Sequence, residues 1–224
     1  MNAAAENALV LVGGASSQIG VFLLPALLKA GYCVRALSRR VDGAVDLGDG
    51  LVWSCPDRER GAATARAEAS GQPRLLVSAG PPVLALELLE RNPQIEKAVV
   101  FSTTSVMTKR ASEDDDERDL MARILREESQ LRAQCRRSDT ALVLIRPTLV
   151  YGCGLDRNIS RLVRFGDRTG FIPISSAADG LRQPVHAADL AALAVSALAA
   201  DTHGILEGPA CGGEQLSYRL MVQR

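Results

Sequence analysis

Apolar residues along this chain fall into short runs separated by stretches of helical spacing, and the alternation repeats. Ala8 to Val12 is an apolar, β-branched run of the length of a buried strand. Gly13-Gly14 break it, helical spacing runs from about Gln18 to Ala30, and Gly31 stands where a C-cap glycine belongs. Tyr32 to Leu37 is a second apolar strand. Strand, glycine turn, helix and strand make a βαβ unit, because two parallel strands need a crossover between them.

The same alternation continues. Val41 to Gly50 reads as a loop, Leu51 to Cys55 as a third strand ending at Pro56-Asp57, and Ala62 to Ser70 as an exposed helix. Leu75 to Ser78 is a fourth strand running into Ala79-Gly80-Pro81-Pro82, and Val83 to Arg91 has helical spacing. Lys97 to Phe101 is a fifth strand leading into the hydroxyl cluster Ser102-Thr103-Thr104-Ser105. Lys109 to Asp119, KRASEDDDERD, has no apolar periodicity and reads as a solvated loop. Leu120 to Arg136 recovers helical spacing, Ala141 to Ile145 is a sixth strand, and Thr148 to Gly152 leads away from the sheet. The last third predicts a helix over Asn158 to Phe165 and an extended piece from Phe171 to Ile174. It also predicts an alanine- and leucine-rich helix over Ala187 to Ala200, an extended Gly204 to Glu207 and a helix from Leu216. Together these predict an α/β fold: a Rossmann-like doubly wound parallel sheet with a small C-terminal substrate region. Residues 1–150 form the dinucleotide-binding domain, and residues 151–224 a substrate-side region packed on the same domain.

Composition narrows the classes. The chain has 224 residues, 47% hydrophobic and 23% charged, ordinary for one globular unit. Lys plus Arg and Asp plus Glu are both 26, and this balance excludes the basic excess of a nucleic-acid binder. Five scattered cysteines show neither a metal spacing nor a disulfide framework, which points to a reducing compartment. No apolar run reaches the roughly 20 residues of a membrane-spanning helix, and Met1 to Asn7 lacks a basic n-region. The expected setting is cytoplasmic, with no nucleic-acid or membrane partner.

The first turn carries the candidate chemistry. Gly14 supplies backbone angles closed to other residues, Gly20 lets the helix sit close to the strand, and the first helical amides point outward at the positive dipole end. A pyrophosphate fits there, against Gly14, Ser16, Ser17, Gln18, Ile19 and Gly20. Ser17 stands where a middle glycine is common, and either donates its hydroxyl to phosphate or crowds it. An acidic residue at the end of the second strand would hold a free ribose 2′-hydroxyl. Here the chain reads Ser38-Arg39-Arg40, and a guanidinium fork suits a phosphate, so NADP is expected over NAD. Asp57, after the third strand, reads equally as a contact to an adenine edge or as a turn residue.

Four segments carry a family resemblance. VLVGGASSQIG, VFSTTSV, LIRPTLVYG and QPVHAADLA, in this order, resemble the extended or atypical short-chain dehydrogenase/reductases, which include nucleotide-sugar epimerases and dehydratases. The resemblance implies that Ala79 and Gly80 pass under the adenosine ribose and that Pro147, Thr148, Leu149 and Val150 flank the nicotinamide. It also implies that Thr103 takes the place of the family's catalytic Ser or Thr, which hydrogen-bonds the reacting oxygen. The family's Tyr and Lys, four residues apart on one helix face, are missing: lining up Glu128 with the family's glutamate puts Leu120 and Ile124 at those positions. Family members usually continue with further helices over the cleft, so here the cleft is either open or completed by a second copy in a homodimer.

Two functions compete on these residues. One is an atypical NADP-dependent oxidoreductase, epimerase or dehydratase acting on a carbonyl or hydroxyl of a small substrate of unknown identity, with nucleotide sugars in view. Thr103 polarises the oxygen there, and His186, Arg182 or water supplies the proton. The other is a non-catalytic NADP(H)-binding redox sensor or scaffold.

Overall fold

The computed structural model describes residues 7–38, 50–55, 71–156, 159–172 and 180–223. Seven strands build one sheet: β1 (Leu9–Gly13), β2 (Cys33–Leu37), β3 (Leu51–Ser54), β4 (Leu75–Ser78), β5 (Lys97–Phe101), β6 (Ala141–Pro147) and β10 (Ile205–Ala210). Their order is β10-β6-β5-β4-β1-β2-β3, and every pairing is parallel. This is the Rossmann-like doubly wound sheet that the sequence predicts. β1, LVLVG, and β5, KAVVF, are buried along their whole length, as strands covered on both faces must be.

The strand period of two sends alternate residues to opposite layers. Val10, Val12, Val77, Val99 and Phe101 pack against Leu23 and Leu27 of α1 (Gln18–Lys29) and against Leu190 and Ala194 of α6 (Ala187–Ala199). Leu11, Leu76, Ala98, Val100, Leu142 and Leu144 face the other layer. There they meet Leu88 and Leu89 of α2 (Pro82–Arg91) and Leu131 and Cys135 of α4 (Asp115–Arg137). Strand order reverses between β1 and β4, and an open α/β sheet has its crevice outside the carboxyl ends of the strands at such a point.

The structure differs from the sequence reading, or adds to it, at three places. The run read as a solvated loop over Lys109 to Asp119 is helix from Asp115 onward. Asp114 caps it, its Oδ1 accepting from the amides of Asp116 (3.0 Å) and Glu117 (3.3 Å), and Asp115, Asp116 and Glu117 sit at the positive dipole end. The short α3 (Ser105–Thr108) precedes Lys109, and a turn joins it to this helix. Second, the segment after Pro147 pairs: β7 (Leu149–Tyr151) runs parallel to β9 (Pro184–His186) in a separate two-stranded sheet. Third, residue 150 does not bound the main sheet, because β10 pairs with β6 over Ile205 to Ala210 and α6 covers one face. What remains outside the sandwich is α5 (Ile159–Thr169), the pair formed by β8 (Leu181–Arg182) with β11 (Leu216–Ser217), and α7 (Tyr218–Gln223). The helix expected over Ala62 to Ser70 lies outside the described residues. Among the described residues, no helix is long and apolar enough to cross a membrane.

Two buried polar groups give direct tests of this packing. Lys97 is 8% exposed, and its ammonium donates to the carbonyls of Leu198 (3.1 Å) and Ala200, closing the C-terminal end of α6. Lys97→Met keeps the stem and removes these donors, so denaturant unfolding is expected to show a loss of about 1–3 kcal/mol. A change smaller than ~0.5 kcal/mol would remove the lysine from the account of that helix end. Burial also pushes the Cys135 thiol up to about 11, whereas Cys153 and Cys211 are exposed. A thiol reagent at neutral pH is expected to modify Cys153 and Cys211 in the native protein and Cys135 only after unfolding. Labelling of native Cys135 would contradict the packing of α4 on β6.

Candidate functional site

A cleft of about 860 Å³ opens over the carboxyl ends of β1, β4 and β5, where the strand order reverses. The β1–α1 turn forms its floor. Gly14 has φ +70°, and a Cβ there would meet the backbone of Ala79 at 2.8 Å and of Gly80 at 2.9 Å. A side chain at Gly20 would meet the Ala15 carbonyl oxygen at 2.3 Å. Glycine at these two positions lets the turn close on β4 and lets α1 begin directly beneath the cleft.

Ser17 is the N-cap of α1. Its Oγ accepts from the Gly20 amide at 3.1 Å, and this settles half of the question its position raised. The oxygen is committed to the helix, and the hydroxyl proton remains available to an anion. The amides of Gln18 and Ile19, at the first two helical positions, have no carbonyl to bond within the helix. With the dipole they form an anion site, and the cleft has the room and the cradle for a dinucleotide pyrophosphate.

The sequence-predicted residues divide by position. Gly14, Ser16, Ser17, Ser38, Ala79, Gly80 and Thr103 all line the cleft. Ser38, 6% exposed at the end of β2, donates to Ser16 Oγ at 3.2 Å, so the two serines hold the β2 end of the cleft together. Gln18 turns its side chain away to donate to the Gly152 carbonyl at 3.1 Å, and Ile19 is a core side chain; both offer the cleft only their backbone. Pro147, Thr148, Leu149 and Val150 are not on the cleft wall. They stand behind it, joined through Thr104, whose amide (3.0 Å) and hydroxyl (3.1 Å) both donate to the Pro147 carbonyl. Arg39, Arg40 and Asp57 lie outside the described residues.

The two candidate catalytic side chains are not brought together. Thr103 lines the cleft with Oγ1 accepting from the Ser105 amide at 3.1 Å, which leaves its proton free to donate. His186 caps α6 instead. Its Nδ1 accepts from the Ala188 amide at 3.1 Å, and its ring packs edge-on between Phe22 and Tyr151 at centroid distances of 5.2 and 5.1 Å. A ring that accepts at Nδ1 carries its proton on Nε2, and Nε2 faces Gly152. Arg182 is exposed on β8. Neither is on the wall that holds Thr103.

Beside Thr103 the wall carries Ile124 of α4, at the position the resemblance gives to a lysine. One turn further on, Glu128 is fully buried at the base of a polar network that its sequence neighbours do not reveal. Its Oε1 accepts from Ser102 Oγ (2.7 Å) and Arg146 Nε (3.0 Å), and its Oε2 from guanidinium nitrogens of Arg146 (2.6 Å) and Arg132 (2.9 Å). Glu207 of β10 completes the set, 2.7 Å from each arginine. Burial alone would push the Glu128 carboxyl up. Hydrogen bonds from Arg146 and Ser102, with the charges of Arg146 and Arg132, outweigh it and hold the group below its ordinary value. Ser102 therefore has its proton committed to an ionised carboxylate and shows the cleft only lone pairs.

The fold has known counterparts. WbmF from Bordetella bronchiseptica, solved with NAD+, superimposes with a TM-score of 0.73 at 15% identity, over 99% of this chain and 78% of that chain. dTDP-glucose 4,6-dehydratase from Bacillus anthracis, solved with NAD, gives 0.72 at 15% over 96% and 79%. MoeE5, solved with UDP-glucuronic acid and NAD, gives 0.73 at 23% over 96% and 80%. No protein-family model matches the chain, and no curated protein matches it. At these identities the likeness is one of fold.

Proposed function

We propose that the chain is an atypical extended short-chain dehydrogenase/reductase, binding a nicotinamide dinucleotide and acting as an oxidoreductase or epimerase/dehydratase-like protein on a small carbonyl or hydroxyl substrate. The observation that carries this reading is the glycine turn, closed on β4 by Gly14 and on α1 by Gly20, beneath a cleft that ends at a donor-ready Thr103. NADP is the preferred form on the strength of Arg39 and Arg40 in the sequence, although WbmF, the B. anthracis dehydratase and MoeE5 were solved with NAD. Nucleotide sugars are the substrate class favoured by the resemblance and by MoeE5, solved with UDP-glucuronic acid.

When bound, the coenzyme supplies or takes a hydride. This chain's residues do the rest. The first-turn amides and the Ser17 hydroxyl hold the pyrophosphate. Thr103 donates to the substrate oxygen and polarises it, and Ser102 accepts from a neighbouring donor. With Ile124 and Leu120 in place of an acid–base pair, and with His186 committed to α6, the proton comes from water rather than from a side chain. General acid–base help is worth roughly 10² to 10⁴-fold, so turnover is expected to be slow by that factor.

This last point also favours a second reading, a protein that holds NADP(H) without turning it over. Mixing the protein with NADPH and a broad panel of carbonyl compounds, nucleotide-sugar ketoses included, decides between the two. Oxidation of NADPH that falls with Thr103→Ala supports the enzyme. Binding without NADPH oxidation, and without conversion of a nucleotide sugar in the presence of NADP by a hydride that is taken and returned, supports the sensor or scaffold.

A further inference from the structure

Any dinucleotide laid with its pyrophosphate on the β1–α1 turn sends one half toward Ser38 at the end of β2 and the other toward Ser102 and Thr103 at the end of β5. In doubly wound folds the β2 end takes the adenosine ribose, so the nicotinamide half meets the β5 end. That end is apolar: Phe101 and Ile124 form its wall, and the hydroxyls of Ser102 and Thr103 offer dipoles but no charge. The carboxylate beneath it, Glu128, is fully buried and matched: Glu128 and Glu207 face Arg132 and Arg146, two negative charges against two positive. Glu87 of α2 is the remaining carboxylate among the described residues of the cleft wall, and it is exposed, where water and salt screen it.

Oxidised nicotinamide is a cation, and its dihydro form is neutral. Moving a cation from water to an apolar wall without an opposing charge is unfavourable, and the neutral ring escapes that term. We propose that this cleft holds the reduced dinucleotide more tightly than the oxidised one, and that Ile124 sets the preference. The inference rests on the dinucleotide reading above. It adds the direction of redox selectivity, so that the occupancy of the site reports the reduced pool.

The phosphates and adenosine are the same in both forms, so the turn and the β2 end contribute equally and the comparison isolates the ring. Calorimetric titration of the whole chain with NADPH and with NADP, at one salt concentration, is expected to give about tenfold tighter binding of NADPH. Ile124→Glu places a carboxylate on the wall and is expected to bring the ratio to one or below, while Ile124→Leu keeps it. Equal affinities in the natural chain, or tighter NADP, would overturn the inference and leave dinucleotide binding intact. If neither form binds, the dinucleotide reading falls and takes this inference with it. Should Ile124→Glu fail to fold, judged by circular dichroism, Ile124→Asp replaces it as the carboxylate variant; the natural chain's own ratio is decisive in either case.

Discussion

Glu128→Gln is expected to destabilise the protein by about 3–5 kcal/mol, the cost of breaking a buried ion pair by removing one partner. Glu128 has no solvent exposure, and Arg146 has a side chain only 12% exposed. Glutamine can accept from one of them but cannot balance either charge, and Arg132, whose Nε is already without a hydrogen-bond partner, loses a second contact. Glu207 cannot take over, because it is 39% exposed and reaches the arginines from the outer edge of β10. Urea unfolding measures the loss. The double variant Glu128→Leu with Arg146→Met is expected to recover most of it, since an apolar pair of similar volume leaves no uncompensated charge. A double variant as unstable as Glu128→Gln would mean that the network's worth lies in specific geometry.

The same network sets the acid limb of stability. Glu128 and Glu207 are both held below the ordinary carboxylate value of 4.5 in the folded chain. For Glu207 the leading cause is the hydrogen bond from Arg132. A carboxylate with a depressed folded value stabilises the fold fully above its unfolded value and loses that contribution as pH falls through the folded one. Stability is therefore expected to be level above pH 4.5 with respect to these groups and to decline below it. Glu128→Leu is expected to flatten the decline.

Gly20→Ala is the second large expectation. The added methyl would lie 2.3 Å from the Ala15 carbonyl oxygen and 2.6 Å from that of Gly14, and both are backbone atoms of the tight turn. The turn must open, at about 3 kcal/mol, the upper end of ordinary overpacking. Because the same turn aims the amides of Gln18 and Ile19, a bound pyrophosphate would lose two charge-assisted hydrogen bonds. Dinucleotide affinity is then expected to fall on the order of 100-fold or more. Gly31→Ala is the control: its φ is +89° but nothing lies within 4 Å of the added carbon, so only local backbone strain of about 1 kcal/mol is expected, with binding unchanged. Equal effects of the two substitutions on binding would detach the first turn from the ligand.

The strands were legible because parallel strands covered on both faces read as short apolar runs, LVLVG and KAVVF among them. The glycine turn was legible because its geometry is local. What depended on distant partners was not. Glu128, in the polar-rich helical stretch ILREESQLRAQ, looks like a surface glutamate, and its burial goes with Arg146 on β6 and Glu207 on β10. β10 reads ILEGPA, with Leu206 58% exposed, so its membership of the sheet comes from pairing with β6 rather than from its own pattern. The Asp114 cap was readable: Asp114-x-x-Glu117 before an apolar run is a helix-start signature hidden by the charge around it. His186 shows a different dependence on surroundings. A histidine before a helix invites a proton-transfer role, and the structure shows its ring accepting from one free amide of the first turn of α6, that of Ala188.

A crystal structure of the chain grown with NADPH tests the central claim most directly. The account predicts pyrophosphate oxygens within hydrogen-bond distance of the Gln18 and Ile19 amides, with the dihydronicotinamide against Ile124 and near Thr103. A pyrophosphate held elsewhere, or a nicotinamide ring at the Ser38 end of the cleft, would contradict it.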